Sequence, residues 1–283
     1  HAIATINQLA PGRTILGFGT GHTGRRVMGL DPVKQTDFCE QVRELRDLLT
    51  RGETDYRTEG VTRHIRYLHR DRRFINLDDR IPLYVAANGP KTLALAGEFG
   101  DGIITTGVAT VERVEAVRRY AEVGAAKVGR SARELPLVSL THLCVLRPGE
   151  PLDSPRVKAI CGHWVMASFH AIAAGYARTN SLPAEVRSIY DAYAAYVANL
   201  PNPPAERYLD VHVGHCTFVA PAEQRFVTAE SIRATTMVGP REELIDRLRA
   251  LERAGLGQMF LNPPMDGYAE YIEEIERELV GRV

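Results

Sequence analysis

Four glycines fall within one short stretch near the start of this chain, Thr14-Ile-Leu-Gly-Phe-Gly-Thr-Gly-His-Thr-Gly24. Thr14, Ile15, Leu16 and Phe18 carry the β-branched and bulky content of a buried strand. Gly17, Gly19, Gly21 and Gly24 then leave the carboxyl end of that strand without side chains. A ligand can lie directly against the backbone N–H groups of such a turn. The chemistry it suits is a phosphate-bearing or flat aromatic cofactor; a glycine turn without ligand is the plain alternative. Gly19, Gly21 and Gly24 also spell G-x-G-x-x-G. A dinucleotide fold would require a helix opening at the third glycine. Gly29 and Pro32 interrupt that stretch, and helical periodicity resumes only near Thr36, so a Rossmann site is not expected.

The totals exclude several classes. With 283 residues, 45% of them hydrophobic and 25% charged, the chain can form one large domain or two small ones. Formal charge is zero, with neither a basic stripe nor a long apolar run, which argues against nucleic-acid and membrane partners. Cys39, Cys144, Cys161 and Cys216 are scattered with no C-x-x-C, as in a reduced, cytoplasmic protein. No signal peptide is visible, and the chain opens on His1 as if inside a helix, so further sequence is expected upstream.

Along the chain, helical spacing covers Ala2 to Leu9, and Thr36 to about Arg51 with Thr36 as the expected cap. A β-hairpin excursion is expected within Asp55 to Asn76. Ile81–Ala87 is a second buried strand; Asn88-Gly89 ends it, and a helix runs from Pro90 to Phe99. The free N–H groups of that helix start, with Lys91 and Thr92 in its first turn, suit an anion. Gly100–Gly107 is a third strand, Thr110–Lys127 a helix, and Leu135–Leu146 a fourth strand. Residues 150–235 read as a helical and irregular insertion carrying Trp164, Phe169, Tyr176, Tyr190, Tyr193 and Tyr196. Such an excursion covers a pocket and sets specificity, here for an apolar or bulky organic molecule. A helix from Gly239-Pro240 to about Ala254, a fifth strand over Leu256–Leu261 and a helix over Tyr268–Val280 complete the pattern.

Strands alternating with helices favour a parallel sheet. Glycine or polar residues end four of the strands, at Gly19–Gly21, Asn88-Gly89, Thr105–Gly107 and Asn262, the pattern of a (β/α) barrel that binds ligands at its carboxyl ends. Thr106 and Gly107 thereby join the candidate cofactor residues. Five core strands are countable, so a complete eight-stranded barrel needs about three more βα units upstream.

The chain resembles the bacterial luciferase-like superfamily of flavin- and deazaflavin-dependent oxidoreductases. The matching segments are Leu9–Arg13, Ile15–Gly21, Ile81–Pro90 and Leu95–Gly102, and the resemblance covers about residues 1–146 and 236–283. It implies an α/β fold, a TIM (β/α)8 barrel over residues 1–283, with strands four to eight here and the first three preceding His1. It also implies that Thr20 and Gly21 line the cofactor, that Arg25 lies near its polar tail, and that Asn88, Gly89, Lys91 and Thr92 form the phosphate-side turn. His22 stands where deazaflavin members place an acid and could move a proton beside the hydride path; a surface loop histidine is the alternative. His215 is the second catalytic candidate, from the insertion. His212, His215 and Cys216 lack a clear third metal ligand, and no metal is expected. His163 and His170 share a helix face, a spacing that usually means packing.

The expected function is hydride transfer between a deazaflavin, coenzyme F420, and a small organic substrate. An FMN-dependent monooxygenase, or a reduced-barrel flavin-binding protein without turnover, are the alternatives. A nicotinamide dehydrogenase would need a helix starting at Gly24. A homodimer formed by helices packing between barrels would be unsurprising.

Overall fold

The computed structural model describes residues 1–175 and 177–283; Tyr176, one of the aromatic residues noted in the insertion, lies outside them. Helix α1 (Ala2–Leu9) precedes strand β1 (Leu16–Phe18), the short α2 (His22–Arg26) and the amphipathic α3 (Gln35–Thr50). The hairpin of β2 (Glu53–Thr58) and β3 (Val61–Arg66) leads to β4 (Leu83–Ala86), α4 (Pro90–Phe99), β5 (Gly102–Thr106) and α5 (Val111–Ala125). Next come β6 (Leu137–Thr141), β7 (Leu143–Leu146), α6 (Pro155–Ala173), α7 (Ala184–Ala198), α8 (Tyr208–Val211) and α9 (Ala229–Thr235). Strand β8 (Met237–Pro240), α10 (Arg241–Arg253), β9 (Gln258–Leu261) and α11 (Tyr268–Leu279) complete the order. Two compact units divide these elements. One comprises His1–Thr20, Val33–Thr105 and Glu115–Val138; the other comprises Gly21–Pro32, Thr106–Val114 and Ser139–Val283.

In the first unit β1, β4 and β5 run parallel, with Phe18 opposite Val85 and Val85 opposite Ile103. That register brings the chain out of β1 at Gly19 and out of β4 at Ala87-Asn88 along one edge, with Thr105 of β5 beside them. The start of β6 flanks β5, where the Ile103 N–H donates to the Pro136 carbonyl at 2.9 Å. Leu83, Val85 and Ile103 are buried, as are Phe38 and Val42 of α3 and Leu93 and Ala96 of α4. Phe18 stacks on Phe38 at 5.4 Å, which fixes α3 over the strand that carries the glycine turn. Helices α4 and α5 meet backbone to backbone: a Cβ on Gly97 would stand 1.9 Å from the Ala121 carbonyl oxygen, and one on Gly124 1.8 Å from that of Ala94.

The carboxyl end of α4 is closed by arginines. Arg130 donates to the Gly97 carbonyl at 2.6 and 3.0 Å and to the Gly100 carbonyl at 2.7 Å, and Arg46 donates to the Phe99 carbonyl at 2.7 Å. These are carbonyls that a helix end leaves without partners, and cations suit them. A cavity of about 390 Å³ opens here, lined by Arg43, Arg46, Phe99 and Arg130. Two of its arginines are committed to carbonyls and Arg43 lies over the Phe99 ring at 4.7 Å, so the cavity is a cap on the helix rather than a ligand site. It lies at the end of α4 away from the tip of β4, where barrel residues serve stability. Arg130→Met should lower stability by about 1–3 kcal/mol by leaving these carbonyls unpartnered. A urea midpoint equal to that of the wild type would remove the capping role.

In the second unit β7 and β8 pair in parallel, Leu143 opposite Met237 through Leu146 opposite Pro240. The single strand expected over Leu135–Leu146 is instead two, broken at His142. This residue is fully buried and turns its ring to the Asn262 carbonyl, while its own carbonyl accepts from the Met237 N–H at 2.9 Å. Gly239-Pro240, expected to open a helix, instead ends β8, and α10 starts one residue later. Helix α2 is a further departure, since no helix was expected between the glycine turn and Thr36. It opens after Gly21 rather than at Gly24 and lasts five residues, so the nicotinamide reading gains nothing from it. Helix α3 is capped at Lys34, and the Thr36 hydroxyl donates instead to Asp37 at 3.1 Å. Val157, Val165 and Phe169 of α6 pack with Val186, Tyr190 and Tyr193 of α7 and with Phe226 and Ile232 in one apolar cluster. Ser154 caps α6 ahead of Pro155, accepting from the Val157 N–H at 3.2 Å.

Candidate functional site

In the second unit a line of polar side chains joins four separate segments. Glu223, in the 3-10 turn Pro221–Phe226, is 4% exposed and places Oε1 3.2 Å from Nε2 of His170. His170 lies in the last turn of α6 and is 0% exposed; its Nδ1 lies 3.1 Å from Nδ1 of His215. Nε2 of His215 is in turn 3.3 Å from the Thr23 hydroxyl on α2, next to His22. His212 stands beside them, its ring 5.3 Å from that of His215, and its Nδ1 donates to the Tyr208 carbonyl at 2.9 Å.

Burial and neighbouring cationic or titratable groups hold His215, His22 and His212 below the usual imidazole range. Burial, then the neighbouring His170, His212 and His22, push His215 down to about 4. Burial, then Arg26 and His212, push His22 down to about 4. His212 is lowered mainly by burial as well. Burial also pushes the Cys216 thiol up to about 11, so it stays a thiol at neutral pH.

Asn262, at the tip of β9, anchors this region. Its carbonyl accepts from His142 Nδ1 at 2.8 Å and from His163 Nε2 at 3.0 Å. Its side-chain amide donates to the Cys216 carbonyl at 3.1 Å, and its N–H donates to the Thr141 carbonyl at 3.2 Å. Cys216 holds a positive φ of 62°, a conformation uncommon for a residue with a side chain, so this clamp fixes the backbone next to His215. Burial, then His163, lower His142 to about 3.

In the first unit Asn88 and Gly89 leave the tip of β4, Gly89 caps α4, and Thr92 donates its hydroxyl to the Gly89 carbonyl at 3.0 Å. Lys91 is exposed in the same first turn, and the Thr20 carbonyl accepts from the Val33 N–H at 3.2 Å. In the second unit Gly21 caps α2 with φ +69°, and Arg25 Nε donates to the Asp31 carbonyl at 2.5 Å, within its own loop. Thr106 is exposed at the end of β5; Gly107 follows with φ +119°, and its Cβ direction is open space. The structure therefore brings His22 and His215 into one cluster.

His163 and His170 share a helix face as expected, yet each is hydrogen-bonded to a different polar group. Thr23 and Glu223 were not anticipated. Each is a single polar residue in an irregular stretch, and no spacing marks it. Among the described residues no set of three His, Cys, Asp or Glu side chains is arranged to hold a metal ion.

Parallel strands with bare carboxyl tips, alternating with helices, define an α/β scaffold that binds ligands at its strand ends. The luciferase-like monooxygenase family model matches residues 1–258, and the chain belongs to that family. It is 28% identical over 271 residues to an F420-dependent glucose-6-phosphate dehydrogenase of Nakamurella multipartita, covering 90% of this chain and 74% of that protein. It is 26% identical over 266 residues to a 5,10-methylenetetrahydromethanopterin reductase of Archaeoglobus fulgidus, covering 93% and 71%. Among solved structures, an F420-dependent secondary alcohol dehydrogenase in complex with an F420-acetone adduct matches with a TM-score of 0.60 and 20% identity, over 98% of this chain and 72% of that one. The F420-dependent tetrahydromethanopterin reductase of Methanopyrus kandleri matches with a TM-score of 0.59. These neighbours are TIM-barrel luciferase-like enzymes, and the expected fold class holds.

Proposed function

We propose that this protein is an oxidoreductase that transfers hydride between coenzyme F420 and a small organic substrate, apolar or bulky. The observation that carries the reading is a set of neutral histidines in a member of a family whose similar relatives are F420-dependent. When bound, the deazaflavin supplies the hydride chemistry, and the protein orients it. The family resemblance points to Thr20, Asn88, Gly89, Lys91 and Thr92 in the first unit, and to Gly21, Arg25, Thr106 and Gly107 in the second, as residues that would contact it.

The residues fit such a group. Helix α4 has ten residues, starts at a glycine with no side-chain cap and carries Pro90 first, so its opening N–H groups face outward for a phosphate. A Cβ on Gly89 would meet only the Thr92 hydroxyl, at 3.8 Å, which leaves that tip open for close approach. His215 and His22, both held near 4, are neutral at pH 7 and serve as proton acceptors. Among the described residues no helix is long and apolar enough to cross a membrane; cytoplasmic residence and a homodimer belong to the proposal.

An FMN-dependent monooxygenase is the second reading. A Baeyer–Villiger monooxygenase component in complex with FMN shares the fold with a TM-score of 0.56 at 13% identity. Thermal melting separates the two. Coenzyme F420 at a hundredfold excess over its Kd should stabilise the fold by about 2.7 kcal/mol and raise Tm by roughly 5–10 °C, with no comparable rise from FMN. Oxygen uptake that depends on reduced FMN would overturn the deazaflavin assignment.

A further inference from the structure

We infer that Glu223 and His170 are positioning residues that direct protons through His215, so that a proton taken up at His215 Nε2 comes to rest on His170 against the Glu223 carboxylate. The inference rests on the proposed role of His215 as proton acceptor and adds to it the two residues behind the histidine.

The geometry orders the protons. An ionised carboxylate only accepts, so Glu223 Oε1 takes a hydrogen bond from His170 Nε2–H at 3.2 Å. A neutral His170 with its proton on Nε2 presents a lone pair at Nδ1. The group facing that lone pair, at 3.1 Å, is Nδ1 of His215, which must then carry its own proton there. Nε2 of a neutral His215 is left bare, and the Thr23 hydroxyl donates to it at 3.3 Å. The line thus selects one tautomer for His215 and aims its basic nitrogen at α2. A hydroxyl already occupies the hydrogen-bonding position that a substrate O–H or N–H would take.

Uptake of a proton follows from the same line. A proton bound at His215 Nε2 makes the ring an imidazolium, and this ring passes its Nδ1 proton to Nδ1 of His170. His215 becomes neutral again with its proton on Nε2, and His170 becomes the cation, paired with the Glu223 carboxylate. No atom is lost or gained beyond the one proton. This explains how a histidine surrounded by other histidines can serve as a base: the charge moves on to the one imidazole that has a carboxylate partner. The titratable and charged groups around the line are His22 and Arg26 on α2, Tyr193 and Tyr196 on α7, Asp210 on α8, His212 and Cys216 after it, and Arg225 two residues past Glu223. The Asp210 carboxylate accepts from the Asn202 N–H at 3.1 Å and from its side-chain amide at 2.8 Å. Glu223 is the carboxylate in hydrogen-bond contact with the line itself.

Nitrogen-15 NMR of the full chain labelled at histidine reads the tautomers directly, without cofactor or turnover. The expected result at neutral pH is a protonated Nδ1 and a bare Nε2 for His215, and the reverse for His170. On acidification His170 should take up the first proton of the pair while His215 switches to the Nε2–H form. Glu223→Gln keeps an acceptor oxygen but removes the charge, and should move the protonation midpoint of His170 down by at least one pH unit, a tenfold loss of proton affinity. Glu223→Asp should restore part of it. A resting His215 with its proton on Nε2, or a His170 midpoint that Glu223→Gln leaves in place, overturns the inference. The wild-type spectrum decides even if a variant does not fold. Because the tautomers are read without cofactor, their failure leaves F420 binding standing, and a failure of F420 binding leaves the tautomers unaltered.

Discussion

Gly97→Val and Gly124→Val should each lower stability by about 3 kcal/mol or more, the upper range for overpacking. The atoms in the way are backbone. The Ala121 carbonyl oxygen lies 1.9 Å from a Cβ placed on Gly97, and the Ala94 carbonyl oxygen 1.8 Å from one on Gly124. No rotamer change relieves such a contact; α4 and α5 must separate. Their separation would disturb β4 and β5, which the two helices follow in sequence, and with them the Asn88-Gly89 turn. Gly24→Ala is the control, because a Cβ there meets nothing within 4 Å in a helix with no positive φ at that residue. It should be neutral or stabilising by up to about 1 kcal/mol. Urea midpoints measure all three, and a wild-type midpoint for Gly97→Val would refute the close helix contact.

Acid should destabilise the fold steeply between pH 6.5 and about pH 4. His142 is pushed down to about 3 and His215 to about 4, both chiefly by burial. Above pH 6.5 these groups are neutral in both the folded and the unfolded chain and contribute no pH dependence. As pH falls below 6.5 the unfolded chain binds protons that the folded chain refuses. Stability then drops by up to about 1.4 kcal/mol per pH unit for each such histidine. His22 adds less, since it is only half-buried and water shares its charge. Glu150, held down to about 2 by Arg156, acts only at lower pH: its contribution is present above about pH 4.5 and is lost as pH falls towards 2. His142→Gln should flatten the dependence of the urea midpoint on pH between 6.5 and 4. An unchanged slope would show that His142 does not stay neutral in the fold.

The sequence carried much of this architecture because its signals are local. The helix over Pro90–Phe99 and the closing helix from Tyr268 are set by periodicity and by glycine or proline at their ends, and both form; of the buried strand expected over Thr14–Phe18 only Leu16–Phe18 forms, part-exposed. The break at His142 was not legible, since it depends on an acceptor, the Asn262 carbonyl, far along the chain. Strand β8 has four residues, too few for a period, and owes its form to the neighbouring β7. The histidine line shows the same limit. His22 and His215 stood out by residue type and by position beside glycines. Their connection through His170 to Glu223 joins residues 45 and 53 positions apart, and no sequence spacing announces it.

A deazaflavin hydride carrier must bind this chain saturably and in preference to FMN. The most direct measurement is a fluorescence titration of coenzyme F420 with the purified protein, run in parallel with FMN. Saturable one-to-one quenching of F420, much tighter than any effect on FMN, is the predicted result. Saturation by FMN alone, or by neither, would contradict it.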